Sequence, residues 1–281
     1  MAVSIVVDST ADLLAPLEAR VKLVPLSVRF GDEEYIPGVN MDTQRFYELL
    51  VERDVLPTTS QASPFAFEEV FRQCVESGDD VVCITCSSKL SGTHQSAVIA
   101  AGEFPGKVWV VDSNTIAIGL GILTEYALSL VDRGFSAEKI ALQLLRRRED
   151  VRVLALVDTL EYLKKGGRIS AAVAFAGGVL NIKPVITLTG GEIRMLGKAR
   201  GSRQANNLLV QEIGKAGGVD FAKPLLLGYT GLSDALLRKY INDSAQLWEG
   251  YRKELPVCTV GSVVGTHVGP GAVAVAFFAA E

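Results

Sequence analysis

Two hydroxyl-rich segments hold the side chains best suited to chemistry: Thr58-Thr59-Ser60-Gln61-Ala62-Ser63-Pro64 and Ser87-Ser88-Lys89-Leu90-Ser91-Gly92-Thr93-His94-Gln95-Ser96-Ala97. The second directly follows the apolar run Asp80-Val81-Val82-Cys83-Ile84-Thr85-Cys86. A strand-like run that ends in small hydroxyl residues and glycine, then opens a helix, is how α/β proteins hold an anion. The donors are the free backbone N–H groups of the helix start and the hydroxyls themselves. The first segment also precedes a helix-like stretch, so the two could converge on one carboxylate or phosphate. Each would serve equally well as a helix cap alone, and residue types and spacing leave both readings open.

Other chemistries find less support. Strand-like runs end in Asp8-Ser9-Thr10, Asp112-Ser113-Asn114 and Asp158-Thr159. These read first as caps and turns, with Asp8 the exception most open to a chemical role because Asp12 lies close by. Histidine occurs only twice, as His94 and His267, so a Ser-His-Asp triad would have to use one of them. The sequence has no phosphate-binding P-loop pattern, no G-x-G-x-x-G after a strand and no G-x-S-x-G elbow. Few histidines and only spaced carboxylates argue against a metal centre. The spacing Cys83-x-x-Cys86 invites a redox or zinc reading, but on a strand these residues point to opposite faces, which favours buried structural thiols. His267 stands in Gly265-Thr266-His267-Val268-Gly269-Pro270-Gly271, which reads as a loop with backbone freedom.

The elements that must position these groups alternate between strand-like and helix-like, which argues an α/β fold. Strands are expected at Val3–Val7, Val81–Thr85, Val108–Val111 and Val151–Val157, and further on at Leu225–Tyr229, Val257–Val260 and Val273–Phe278. Hairpins are expected from Lys22–Phe30 through Gly31-Asp32 to Glu33–Ile36, and from Pro184–Leu188 through Gly190-Gly191 to Glu192–Leu196. Helices are expected at Leu13–Ala19, from Asp42 to Arg53, and over Pro64–Glu76, Ser91–Ala101, Thr115–Arg133, Ala137–Arg148, Ser202–Lys215 and Asp234–Trp248. The first half thus reads as a mainly parallel sheet with flanking helices. The second reads as a mixed or antiparallel sheet with helices. With 281 residues, two closely packed domains are expected, 1–149 and 150–281.

Bulk properties narrow the partners. The net charge is -4 and no basic stripe stands out beyond Arg146-Arg147-Arg148, so nucleic acid is not expected. The first residues lack the charged and cleavage features of a signal peptide. No apolar run reaches the roughly 18 residues of a membrane span. A cytoplasmic protein is expected.

Seven segments occur in one order along the chain: Asp8-Ser9-Thr10-Ala11-Asp12, Thr59–Pro64, Ser87–Ala97, Val111-Asp112-Ser113, Thr159-Leu160-Glu161-Tyr162-Leu163-Lys164-Lys165-Gly166-Gly167-Arg168-Ile169-Ser170, Leu180-Asn181-Ile182-Lys183-Pro184, and Gly265–Gly271. Together they resemble the DegV family of bacterial fatty-acid-binding proteins. Two positions depart from the family pattern: Ala62 stands for a frequent proline, and His94 for a frequent tyrosine. The resemblance implies a carrier, not an enzyme, with two α/β domains and one long-chain fatty acid between them. It has no catalytic residue, metal or cofactor of its own. Thr59 and Ser91 would hydrogen-bond the carboxyl with His267 nearby, and Ser60, Gly92 and Thr93 would shape the pocket. Arg168 would present the head group to a separate fatty acid kinase, with Arg200 and Arg203 on the kinase-facing surface. That kinase would phosphorylate the carboxylate with its own ATP, and the acyl phosphate would go to lipid synthesis.

Elementary energetics suit that expectation. A buried carboxylate needs several donors. At about 0.8 kcal/mol per CH₂, a tail of about fourteen methylenes contributes roughly 11 kcal/mol before ordering costs. The competing expectation is an enzyme acting on a small phosphorylated or carboxylated metabolite through Ser91 or His267.

Overall fold

The computed structural model describes residues 2–53, 55–169 and 181–280; Ser170 and Leu180 of the motifs above lie outside the described residues. Near-continuous apolar runs build a four-stranded parallel sheet from β1 (Val3–Asp8), β2 (Lys22–Val24), β6 (Asp80–Thr85) and β7 (Val108–Asp112), in the order β2-β1-β6-β7. Strands buried on both faces read this way because neither face is solvated. Alternate side chains go to different cores. Val6, Val81 and Cys83 pack with Phe67, Phe71 and Cys74 of α3 (Pro64–Glu76) and Ala97 and Ala100 of α4 (Thr93–Ala101). Ile5, Val7, Val82 and Ile84 pack with Ile122 and Leu123 of α5 (Ile118–Asp132) and Ile140 and Leu144 of α6 (Ala137–Arg147). Cys83 and Cys86 fall in different cores, as strand parity requires.

Lys22–Phe30 does not run as one strand. Pro25, with no N–H to donate, separates β2 from β3 (Ser27–Phe30). β3 pairs antiparallel with both β4 (Glu33–Tyr35) and β5 (Thr58–Ser60), in a small sheet ordered β4-β3-β5. Beside it lies α2 (Thr43–Glu52), whose start is capped by Asp42 accepting from the Arg45 N–H at 2.7 Å. Ser63 caps α3 in the same way, accepting from Ala66 N–H with Pro64 in the first turn.

The remaining strands form a six-stranded mixed sheet: β8 (Val151–Leu156), β9 (Ile182–Thr189), β10 (Glu192–Arg200), β11 (Leu225–Tyr229), β12 (Val257–Thr259) and β13 (Val273–Phe278). Their order is β10-β9-β8-β13-β11-β12, antiparallel throughout except for β11 with β12. Gly190 and Gly191 turn the β9–β10 hairpin at φ +57° and +81°, the backbone that a tight two-residue turn demands. The two faces of this sheet pack against different partners. On one, Leu154, Leu156, Leu225, Leu227, Val273, Val275 and Phe277 pack against α8 (Gly201–Lys215), α9 (Ala235–Asp243) and α10 (Ala245–Trp248). The other packs Val153, Leu226 and Phe278 with α5 and carries the small residues Ala155, Ala272, Ala274 and Gly228 beside them.

Some helix ends differ from the sequence reading. Residues Thr115–Ala117 lie outside α5, with Ala117 bridged to Ala11 and both Asn114 and Ala117 at positive φ. The helix expected over Asp234–Trp248 is broken at Ser244, whose hydroxyl bonds back to Tyr240 O. A short helix, α7 (Glu161–Lys165), precedes the Gly166-Gly167 turn. The Gly265–Gly271 segment is not a loop throughout: α11 (Ser262–Val268) takes it as far as Val268, and His267 lies in the last helical turn.

Candidate functional site

Four segments converge on one pocket. The strand β5 presents Thr59, and α11 presents His267 opposite it, so that Thr59 Oγ1 and His267 Nε2 lie 2.8 Å apart across 208 residues of sequence. The loop between β6 and α4 brings Ser91. Its hydroxyl lies 2.9 Å from Thr93 Oγ1 and accepts from the Thr93 N–H at 3.2 Å. Ser91 therefore stabilises the start of α4 while also facing the pocket, so the cap and site readings coexist in one side chain. The turn after α7 brings Arg168, whose Nε donates to Leu90 O at 3.2 Å and whose Nη1 donates to Gly166 O at 2.6 Å. Glu161 is not its partner; it pairs with Lys165.

These residues line a cavity of about 190 Å³, with Thr10, Gln61, Gly92 and Cys86 completing its polar side and Leu163, Ile193 and Val263 among its apolar walls. Two glycines make its close approaches possible. A side chain on Gly92 would collide with the Gln61 carboxamide, which itself donates to Ser96 Oγ at 3.1 Å. A side chain on Gly166 would collide with His267 Nδ1. That nitrogen is buried and has no hydrogen-bond partner among the described residues. Burial, with the Arg168 cation as a smaller cause, pushes the His267 pKa down to about 4, so the imidazole is neutral at neutral pH. A neutral imidazole beside a hydroxyl can donate to it from Nε2. The hydroxyl proton is then free to point at an anion.

A narrow second cavity of about 60 Å³ adjoins the first, with Ile116, Ile193, Val264 and Val268 in the walls of both. Its walls are aliphatic apart from Thr187, Tyr229 and Thr230. The tip of the β9–β10 hairpin is fastened beside the pocket by Ser87 Oγ donating to Gly191 O at 2.8 Å.

Thr59, Ser91, Gly92, Arg168 and His267 thus line one cavity. Thr93 does not reach it but stands behind Ser91. Ser60, expected to shape the pocket, is exposed and outside its lining, because the residue after Thr59 on a strand points the other way. Arg200 and Arg203 are exposed and line neither cavity. His94 bonds Thr85 Oγ1 through Nδ1 at 2.9 Å, also outside the lining. Gln61 received no role from the sequence, although it sits between Ser60 and Ala62 in the hydroxyl segment. The strand β5 is only three residues long and Gln61 follows it, so no periodicity marked Gln61.

The aspartates are structural anchors. Asp8 is fully buried and accepts from Thr10 N–H, Thr10 Oγ1 and Cys86 N–H; burial raises its pKa against these bonds. Asp12 accepts from Gly261 N–H at 2.8 Å, just ahead of α11, and burial lifts its pKa to about 7. Among the described residues no group of three or more His, Cys, Asp or Glu is arranged to hold a metal ion, and no helix is long and apolar enough to cross a membrane.

Comparisons with known proteins agree with this architecture. A DegV domain-containing protein of Deinococcus radiodurans is 36% identical over 282 residues, covering 98% of each chain. A DegV family protein from Thermus thermophilus, whose structure is described as fatty acid binding, matches with a TM-score of 0.87 and 34% identity over 99% of this chain and 100% of its own. The Fatty Acid Kinase (Fak) B3 protein of Streptococcus pneumoniae, loaded with linoleic acid, shares the fold at a TM-score of 0.86 with 21% identity and complete coverage of both chains. The model of the DegV family matches residues 2–280, and the chain belongs to that family.

Proposed function

We propose that this protein is a carrier that holds one long-chain fatty acid, with the carboxyl in the polar pocket and the acyl chain in the aliphatic slot. The observation that carries the reading is the adjacency of the two cavities, a donor-lined one sharing four apolar wall residues with one lined by aliphatic side chains. Thr59 and Ser91 donate to the carboxylate, and His267, neutral in this environment, donates to Thr59 from Nε2 and so orients its hydroxyl. Gly92 and Thr93 hold Ser91 in place. The cage is not wholly neutral, since Arg168 lines it. The guanidinium also donates to Leu90 O and Gly166 O, which fixes it as a background charge beside the head group. The fatty acid binding of the Thermus thermophilus relative supports the ligand class.

In this reading the ligand lies between an N-terminal unit, residues 1–149, and a C-terminal unit, residues 150–281, both of which contribute to the pocket. A separate kinase phosphorylates the presented carboxyl with its own ATP, and the carrier performs no chemistry. Arg168 at the pocket and the exposed Arg200 and Arg203, where β10 passes into α8, face that partner. This part of the reading rests on the family resemblance and on the exposure of those cations.

The test is native mass spectrometry of the purified protein, with mass analysis of an organic extract. One equivalent of a long-chain fatty acid is expected. Each hydrogen bond to a charged carboxylate contributes roughly 1.5–3 kcal/mol. Thr59→Ala with Ser91→Ala is therefore expected to weaken retention at least about tenfold while thermal unfolding stays cooperative. Unchanged retention in the folded double variant would remove the proposed head-group site.

A further inference from the structure

The narrow cavity follows a direction set by strand register. Ile193 of β10 borders both cavities. From Ile193, the register partner of Leu188, the floor steps two residues along β9 to Ile186 and then crosses the sheet at right angles to the strands. Ile186 of β9 is the register partner of Ala155 of β8, Ala155 of Ala274 of β13, and Ala274 of Gly228 of β11. All four border the cavity. From β10 to β11 this is four inter-strand steps, roughly 19 Å at the usual strand spacing, a distance suited to an extended long acyl chain.

The roof comes from Ile116 and Ile118 at the start of α5 and from Val264 and Val268 of α11. At Gly228 the roof meets the floor: a Cβ there would stand 3.0 Å from both Ile118 Cγ2 and Val260 Cγ2. The space therefore narrows to an end at Gly228. Its depth up to that point depends on the small side chains at Ala155 and Ala274.

Resting on the carrier reading above, we infer that the row Ala155, Ala274, Gly228 sets the length of acyl chain the protein accepts, with the terminal methyl group coming to rest near Gly228. Bulk added along the row shortens the usable slot from the far end. The closer the substitution lies to the head pocket, the shorter the accepted chain. Gly228→Val trims only the end, Ala274→Leu removes more, and Ala155→Leu most.

The experiment offers delipidated protein an equimolar mixture of lauric, myristic, palmitic, stearic and arachidic acids and measures what is retained. Wild type is expected to favour the longer acids. Two methylenes excluded from the slot change relative retention by about tenfold or more. The three variants are expected to shift toward shorter acids in the order Gly228, Ala274, Ala155. Ser91→Ala, which acts on the head, is expected to lower retention of every acid without altering their ratio. Should the larger variants fail to fold, Gly228→Ala and Ala155→Val apply the same test with added methyl groups only.

Folded variants that keep the wild-type length distribution would overturn the assignment of the row and leave the carrier reading standing. Wild-type protein that takes up none of the five acids would overturn the carrier reading, and the length assignment with it.

Discussion

His267 and Asp12 stand at opposite ends of α11 and pull stability in opposite directions as pH changes. The folded imidazole titrates at about 4 against an ordinary 6.5, so below pH 6.5 the unfolded chain binds the proton more readily. Its contribution is complete above pH 6.5 and is lost as pH falls toward 4. The Asp12 carboxyl titrates at about 7 against an ordinary 3.8, so the folded state keeps its proton longer. Its contribution is complete below pH 3.8 and is lost as pH rises toward 7. Between about pH 4 and 6.5 the two offset each other. His267→Gln is expected to lose stability with rising pH in this window and Asp12→Asn to gain it, as read by midpoints of urea unfolding. Parallel slopes in the two variants would sink this account. At the same scale, Gly166→Ala is expected to push the imidazole off Thr59 and weaken lipid retention several-fold, with little change in the midpoint. The hydroxyl clusters left open whether the Thr59 and Ser91 segments converge, and they do; the particular roles of Thr59, Ser91 and His267 came from the family resemblance. The exposure of Ser60 was not, because the three-residue strand β5 is too short for its parity to show in sequence.

At the scale of elements, the placement of α11 decides whether the pocket exists. Its entry is held by the Asp12 bond to Gly261 N–H and by Tyr47 Oη of α2, which donates to Val260 O at 2.8 Å. At Gly265 the helix touches α2 so closely that a Cβ would lie 2.6 Å from Tyr47 Oη and 2.8 Å from Phe46 Cε1. Overpacking of this kind costs about 1–3 kcal/mol. Gly265→Ala is therefore expected to lower the unfolding free energy by about that much and to displace His267. An unchanged midpoint would show that the two helices can separate without penalty. Tyr47→Phe leaves the buried Val260 carbonyl without its donor and is expected to cost about 1–2 kcal/mol. Here the sequence misled: glycines within Gly265–Gly271 suggested freedom, whereas Gly265 is required by contact with α2. Long amphipathic helices such as Pro64–Glu76 were readable to the residue, since periodicity and a Ser-Pro start both mark them.

At the scale of the molecule, the parallel sheet and the mixed sheet were both legible, the first from unbroken apolar runs and the second from its glycine hairpin. The β3–β4 hairpin was legible too, but the addition of β5 to it was not. Its pairings join Ser27–Arg29 to Thr58–Ser60 across intervening α2, and local pattern carries no record of such closure. The thiols report on the finished fold. Cys74, Cys83 and Cys86 are buried, and burial raises the pKa of all four cysteines. Native protein is therefore expected to react with iodoacetamide far more slowly than urea-unfolded protein, by mass counting of adducts. Rapid labelling of Cys86 in native protein would mean that the pocket wall opens readily. The row of small residues on one face of the mixed sheet has a consequence for descent. Leu227 and Val275 secure one face, while their immediate neighbours Gly228 and Ala274 look the other way. Tolerance for mutation is thus divided by parity along a single strand. Gly228 and Ala274 can change without disturbing Leu227 and Val275, which lets a lineage reshape the slot while inheriting the same scaffold.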